Sequence, residues 1–345
     1  MIDPSRDRLI IGPPGPLTAW VFSVVRALAP RTLPKPLSIV AVERLATVDA
    51  PPPDGPGRLL LCNFPSDEVV AAINATDLRT LVVEEPGAAV ALHLVQTTNR
   101  TPIEAVRACS AAYIANLALR RSRHLAVFNG EDRSPVLDIL KGLCRYLALE
   151  VAEPELAKYA DKIAPGPNPD HPLAAAVQRS IRASGTVVSQ ADAETTARFS
   201  AVVLTPMIEQ LRVPTVPAIE WPRNAFYDVV RPKEPLPDVI DLTGPARMLV
   251  HGPYFHLAPG RYIIELVMAF AEVAKDATFL VDVHAGAERL KRVRVHPSKS
   301  GGYTARFEFD HKTGIPEVQV QIVAERGAIA GRFALVRCLL TPILA

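Results

Sequence analysis

Residues 9–29, LIIGPPGPLTAWVFSVVRALA, decide how the first half of the chain reads. Leu9 to Ile11 is a brief apolar run of strand character, Gly12 to Pro16 is a dense turn signal, and Leu17 to Ala29 is an apolar segment of helix length. Working outward, the same alternation recurs. Arg58 to Cys62 is another short apolar run, Ser66 caps a helix to about Ala75 with Asp67 and Glu68 in its first turn, and Thr80 to Val83 reads as a third strand. Ile103, Val106, Ser110, Tyr113 and Leu117 recur at helical steps, His124 to Phe128 reads as a strand, and Ser134 caps a helix ending near Leu149. Residues 173–183 and 191–211 are also helical in pattern. Strands alternating with helices predict parallel crossover units and an α/β sheet.

The texture then changes. Six prolines stand at 214, 217, 222, 232, 235 and 237, which predicts a stiff, extended connector. Beyond it the apolar period is two: Tyr262 to Ala271, Thr278 to His284, Leu290 to Val295, Tyr303 to Phe309, Val318 to Val323 and Arg332 to Leu340. Regular short strands predict a C-terminal antiparallel β-sandwich, jelly-roll-like. The expected division is an α/β domain over 1–211, a Pro-rich linker over 212–245 and a β-sandwich domain over 246–345.

Composition agrees with two globular domains. In 345 residues, 49% are hydrophobic and 21% charged, and the net charge is +2, so the chain can bury a core and lacks the makeup of a disordered protein. Residues 246–345 hold 13 of the Lys and Arg and 9 of the Asp and Glu. The one basic run, Arg289, Lys291, Arg292 and Arg294, alternates with Leu290, Val293 and Val295, as the solvated face of a strand would; nucleic acid is not an expected partner. Cys62, Cys109, Cys144 and Cys338 show no CxxC pairing, the first residues show no secretory signal, and Leu17 to Ala29 is too short to span a bilayer. A reducing, cytoplasmic setting is the expectation.

A strand running into a Gly/Pro loop and a helix invites a nucleotide reading, because helix N-termini offer free N–H groups to phosphates. The chemistry is thin, however. Gly12 to Trp20 lacks the Lys and the paired Ser/Thr of a phosphate loop, and Pro13, Pro14 and Pro16 remove three donors; Thr18 is the one hydroxyl left.

The order of landmarks resembles the sulfotransferase family, which uses 3'-phosphoadenylyl sulfate (PAPS) on a P-loop-type parallel sheet flanked by helices. Its phosphosulfate loop, Pro-Lys/Arg-Ser-Gly-Thr-x-Trp, is similar to Pro14 to Trp20, with Gly15 in the basic position and Pro16 in the Ser position. Its strand followed by His-Phe/Leu-Pro resembles Cys62-Asn63-Phe64-Pro65, with Asn63 for the His. Its 3'-phosphate grip, Arg-x-Pro-Arg-Asp and a later Ser, resembles Glu84-Glu85-Pro86-Gly87-Ala88 to Leu92, with Glu84 for the Arg and Leu92 for the Ser. Two further segments, 128–132 and 146–149, are similar to a Tyr-Glu-Asp strand end and a Phe-Leu-Gly-Leu helix end. The likeness covers about residues 8–211. It implies a PAPS-type fold whose cofactor motifs are eroded: Gly15, Thr18 and Trp20 form a vestigial loop. No cofactor is expected, or PAPS if the family's activity is retained.

Asn63, Glu84 and Glu131 follow strands of the sheet, and open α/β sheets collect ligands at their carboxyl ends, so these three are the catalytic candidates. Glu84 and Glu85 are strand neighbours, pointing to opposite faces, and do not make a simple carboxylate pair. No histidine has a metal-binding spacing, and no metal is expected. The C-terminal module opens with Gly252-Pro253-Tyr254-Phe255 and Pro259-Gly260-Arg261-Tyr262, which resembles the opening of β-sandwich modules in bacterial glycan-processing enzymes. Tyr254, Phe255 and Tyr303 are the candidate glycan contacts; the competing reading makes these aromatics core, since Tyr303, Phe307 and Phe309 share one face at period two.

The expectation is a divergent sulfotransferase-like protein, impaired in PAPS binding, serving as a binding or assembly component in cell-surface polysaccharide modification. Its partners would be glycan or polysaccharide-modifying enzymes, with homo-oligomerisation open. Two alternatives stand beside it: an active sulfotransferase with an atypical cofactor site, and a non-catalytic dimerisation scaffold.

Overall fold

The structure, a computed structural model, describes every residue except 1–2, 4, 33–36, 43–56, 77, 118, 120–124, 130–132, 165–171, 183–186, 211–216, 314–315 and 344–345. The chain divides into two compact units, residues 1–105 with 115–193, and residues 106–114 with 194–345.

The first unit is built on five parallel strands, β1 (Arg8–Ile11), β2 (Ser38–Ala41), β3 (Arg58–Cys62), β4 (Arg79–Glu84) and β5 (Leu125–Asn129), in the order β2-β3-β1-β4-β5. Helices α1 (Pro16–Leu28), α2 (Asp67–Ala75), α3 (Gly87–Thr98), α5 (Val136–Leu147), α6 (Glu153–Ile163) and α7 (Pro172–Arg182) alternate with them; α4 (Pro102–Leu117) gives its middle, Val106–Ile114, to the second unit. Both faces of the sheet are covered, which is why its strands are apolar without a break. On one face Ile10, Leu59, Leu61, Leu81 and Val83 pack with Trp20, Val21 and Val24 of α1 and Ile139, Leu140 and Leu143 of α5. On the other, Leu9, Ile11, Leu60 and Cys62 pack with Val69, Val70 and Ile73 of α2. Ser66 caps α2 as expected, its hydroxyl accepting from the Val69 N–H. At α5 the cap position is Pro135 rather than Ser134. Asp7 and Arg58 form a buried bidentate pair at 2.9 and 2.5 Å, tying the start of β3 to the turn before β1.

The second unit is a β-sandwich. One sheet holds β7 (Tyr227–Asp228), β8 (Arg231–Pro235), β10 (Arg247–Phe255), β12 (Phe279–Ala285), β13 (Glu288–Val295) and β15 (Val318–Ala324), in the order β13-β12-β15-β10-β7-β8. The other runs β14-β11-β16-β6, with β6 (Ile219–Trp221), β11 (Gly260–Ala271), β14 (Gly301–His311) and β16 (Arg332–Ile343); β9 (Ile240–Asp241) also pairs with β16. Every pairing in it between strands is antiparallel. Phe270 of one sheet meets Phe279 of the other at 4.7 Å between centroids, inside a core that includes Val250, Val281, Val320, Ile264, Leu266 and Leu340.

The stretch expected as a linker is structural. Its described residues supply β6 to β9, and Ile219, Trp221 and Phe226 are fully buried. The prolines fit because Pro232 and Pro235 lie on β8, an edge strand, where a missing N–H costs no ladder bond. The second unit therefore takes in chain well before residue 246, including α8 (Gln190–Phe199) from Glu194 on, the π-helical turn Ser200–Leu204 and α9 (Thr205–Glu209).

Candidate functional site

The turn that opens the sequence leads from β1 into α1, whose N-cap is Gly15 and whose first residue is Pro16. A helix start carries free N–H groups and a partial positive charge, yet α1 has no acidic residue in its first turn. Its anion comes from the turn after β4. The Glu85 carboxylate accepts the Leu17 N–H at 2.7 Å on one oxygen, and the Thr18 N–H at 2.7 Å and the Thr18 hydroxyl at 2.8 Å on the other. Glu85 is 7% exposed and Thr18 is 1% exposed. Burial pushes the Glu85 carboxyl above the usual carboxylate range, and the three donors pull against that rise. Glycine is needed at 15 for closeness: a Cβ there would stand 2.6 Å from both carboxylate oxygens. At Gly12 it would stand 2.3 Å from the Thr18 hydroxyl. Loop and helix start thus close around a carboxylate belonging to the chain itself.

The vestigial-loop residues take different places in this arrangement. Gly15 makes room for Glu85, Thr18 donates to it, and Trp20 is a core side chain, 2% exposed, within the cluster of α1, α5 and the sheet. A cofactor-contact role for Trp20 is thereby corrected: at the fifth residue of the helix, its apolar ring belongs to the buried stripe.

Asn63 directly follows β3 and Glu84 ends β4, so parallel strands carry both to one sheet edge, with β1 between them. Asn63 is half-buried, and its side-chain oxygen is buried without a hydrogen-bond partner. Glu84 is half-buried and pairs in register with Asn129. Glu131 lies outside the described residues. No group of three or more His, Cys, Asp or Glu side chains among the described residues is placed to hold a metal. The four cysteines are buried and form no disulfide among the described residues, and burial raises the Cys144 thiol to about 11.

In the sandwich, Phe255 is fully buried against Trp221, with centroids 6.2 Å apart, so its role as a glycan contact is corrected: it has no open ring face. The alternation along β10 aims it into the core. Tyr303 is half-buried, edge-on to Phe270, its hydroxyl donating to the Lys299 carbonyl at 2.8 Å. Tyr254 is half-buried with a φ of 66°, and its hydroxyl lies 2.6 Å from His251 Nδ1. Above it sits Arg107 of α4, within the same unit, 4.9 Å from the Tyr227 ring and 5.4 Å from the Tyr254 ring. Its guanidinium donates to the Pro253 and Ala225 carbonyls and the Tyr227 hydroxyl at 2.6, 3.2 and 2.7 Å. Neither Glu85 as the α1 anion nor Arg107 as this clasp was visible in sequence. Each acts across more than 60 residues of chain, a distance over which local pattern carries no signal.

No family model and no curated protein matches the chain. Among solved structures, a mouse sulfotransferase complexed with PAP is similar with a TM-score of 0.33 and 12% identity, over 46% of this chain and 64% of that one. The CBM36-1 domain of a multidomain xylanase from the hindgut metagenome of Trinervitermes trinervoides is similar with a TM-score of 0.24 and 14% identity, over 36% and 90%. The C-terminal CBM6 of LamC, from Zobellia galactanivorans, is similar with a TM-score of 0.23 and 18% identity, over 30% and 89%.

Proposed function

We propose that this protein is a non-catalytic binding or assembly component in the modification of cell-surface polysaccharides, joining an α/β unit that does not take up PAPS to a β-sandwich that contacts glycan. The observation that carries this reading is the Glu85 carboxylate on the start of α1. The Leu17 and Thr18 N–H groups and the Thr18 hydroxyl are what a phosphate at this turn would need, and all three are spent. A phosphate brought to ~4 Å from that carboxylate would meet a repulsion of ~4 kcal/mol at an effective dielectric of ~20, about a thousandfold in affinity. Gly15 and Glu84 stand in the basic positions of the resemblance and supply no compensating cation. Calorimetry with PAP and PAPS tests the reading. No heat of binding at tens of micromolar is the expected result, and submicromolar binding overturns it.

A second reading, an active transferase with an atypical cofactor mode, draws on Asn63, whose buried side-chain oxygen faces no partner at the sheet edge. Transfer of labelled sulfate from PAPS to a polysaccharide acceptor, abolished by Asn63→Ala, would establish it in place of the first.

A further inference from the structure

We propose that Arg8 and Arg79, side by side at the amino-terminal edge of the five-stranded sheet, bind a tetrahedral dianion, phosphate or sulfate. The site lies at the opposite end of the strands from the turn that Glu85 fills, and the proposal goes beyond the reading above.

Strand register brings the two arginines together. Arg8 is the first residue of β1 and Arg79 the first of β4, and the parallel pairing of these strands makes them partners. Partners in register project to the same side of a sheet, so two guanidinium chains leave the backbone one strand spacing, ~4.8 Å, apart. Alternation sends Asp7 to the other side, where its carboxylate is spent on Arg58 at 2.9 and 2.5 Å. The Asp3 carboxylate accepts from the Ser5 N–H and hydroxyl. Neither Arg8 nor Arg79 forms an ion pair among the described residues.

Other arginines of this chain show what the Arg8 guanidinium lacks. Arg58, Arg292 and Arg294 each turn the edge formed by Nε and Nη2 to the two oxygens of a carboxylate. That edge is the fork that fits carboxylate and phosphate alike. Arg8 is held by its remaining nitrogen, Nη1, which donates to the Ser5 and Asp7 carbonyls at 3.4 and 2.8 Å. Its Nε is buried and has no hydrogen-bond partner. The fork is therefore positioned by the main chain, without the acceptor that its three counterparts have. Arg79 beside it is exposed.

Like charges set side by side are unfavourable, and a buried charged donor left unmatched costs more than a neutral one. Burial and then Arg79 lower the Arg8 pKa, while Asp7 pulls the other way. A carboxylate has one charge and answers one fork. A tetrahedral dianion brings two charges and oxygens enough for both forks, so it turns the repulsion between the arginines into attraction to a shared ligand.

The test is thermal melting of the full chain in phosphate, sulfate or acetate at slightly alkaline pH, with ionic strength held constant by chloride. Helical ellipticity is the signal, because most of the helices belong to the α/β unit. A rise in melting temperature that saturates with a millimolar midpoint is expected in phosphate and in sulfate, and none in acetate. Arg79→Gln weakens the effect by ~10- to 100-fold, as loss of one charged hydrogen-bonding group predicts. Without anion that variant melts no lower than the parent, since one of two like charges is gone. Arg326→Gln, an exposed site in the other unit, leaves the effect unchanged. Glucose 6-phosphate gives the source: a lower midpoint than inorganic phosphate assigns the group to a sugar, and an equal one to the free ion. An equal rise in Arg79→Gln overturns the proposal, because the salts then act by exclusion from the surface. An equal rise in acetate overturns the dianion. A lower melt of anion-free Arg79→Gln overturns it too, by showing that a carboxylate of the chain, Asp77 included, already answers Arg79. The PAP calorimetry decides the α1 turn separately, since submicromolar PAP binding that survives Arg79→Gln does not come from this site.

Discussion

Replacing Gly15 by Ala tests whether Glu85 is the resident anion of α1. Gly15 has φ −112° and ψ 176°, a conformation open to any residue, so alanine carries no backbone strain there. The whole penalty must come from the new methyl, 2.6 Å from both oxygens of a carboxylate pinned by three hydrogen bonds. Overpacking of this kind costs ~1–3 kcal/mol, and partly loosening one bond to a charged group, worth ~1.5–3 when lost outright, adds about half of that, so ~2–4 kcal/mol is expected. Glu85→Ala alone leaves two N–H groups and a hydroxyl without their acceptor at a buried helix start, partly offset by relief from burying a carboxylate, for a loss also of ~2–4 kcal/mol. In the double variant the methyl enters vacated space. There Gly15→Ala adds less than ~0.5 kcal/mol, or gains slightly by stiffening the unfolded chain. The assay is urea unfolding of the four proteins in a Trp221→Phe background, so that the buried Trp20 reports on the α/β unit. A coupling of ~2–4 kcal/mol between the sites is the expected result. Equal costs for Gly15→Ala with and without Glu85 would refute the reasoning.

Further outcomes follow from the sandwich. Phe255→Ala empties a fully buried ring site and loses ~3–5 kcal/mol, whereas Tyr303→Ala, half-exposed, loses under half of that; thermal melts rank the two, and the reverse order would contradict the burial pattern. His311 is 2% exposed, and burial depresses its pKa. The folded state therefore resists taking up a proton that the unfolded chain accepts near 6.5: the contribution is fully present above 6.5 and is lost as pH falls toward the folded value. Urea midpoints measured from pH 7.5 to 5 should fall less steeply for His311→Gln than for the parent, and parallel profiles would remove His311 from the account.

Local pattern carried much of the architecture. The runs at 58–62, 262–271 and 318–323 coincide with strands to within two residues, because a two-sided buried strand and a period-two strand each impose their burial on neighbouring residues. Proline content misled at 212–245, since its cost depends on whether a strand lies at a sheet edge, which is a property of strand order and not of the stretch itself.

From sequence alone came the alternation of strands and helices, the sandwich, and the loss of basic and hydroxyl groups from the Gly12–Trp20 turn. The tertiary structure decided what fills that turn. Glu84 and Glu85 are adjacent carboxylates in the sequence, but β4 lies beside β1, so the turn after β4 brings Glu85 onto the donors of α1. The sandwich follows the same rule: which of Tyr254, Phe255 and Tyr303 keeps an exposed ring, and that Gln321 lines up with Asp282 and His251, depends on cross-strand register. Hydrogen bonds and ring contacts are short-ranged, and the groups making them are dozens of residues apart, so only the folded chain specifies them.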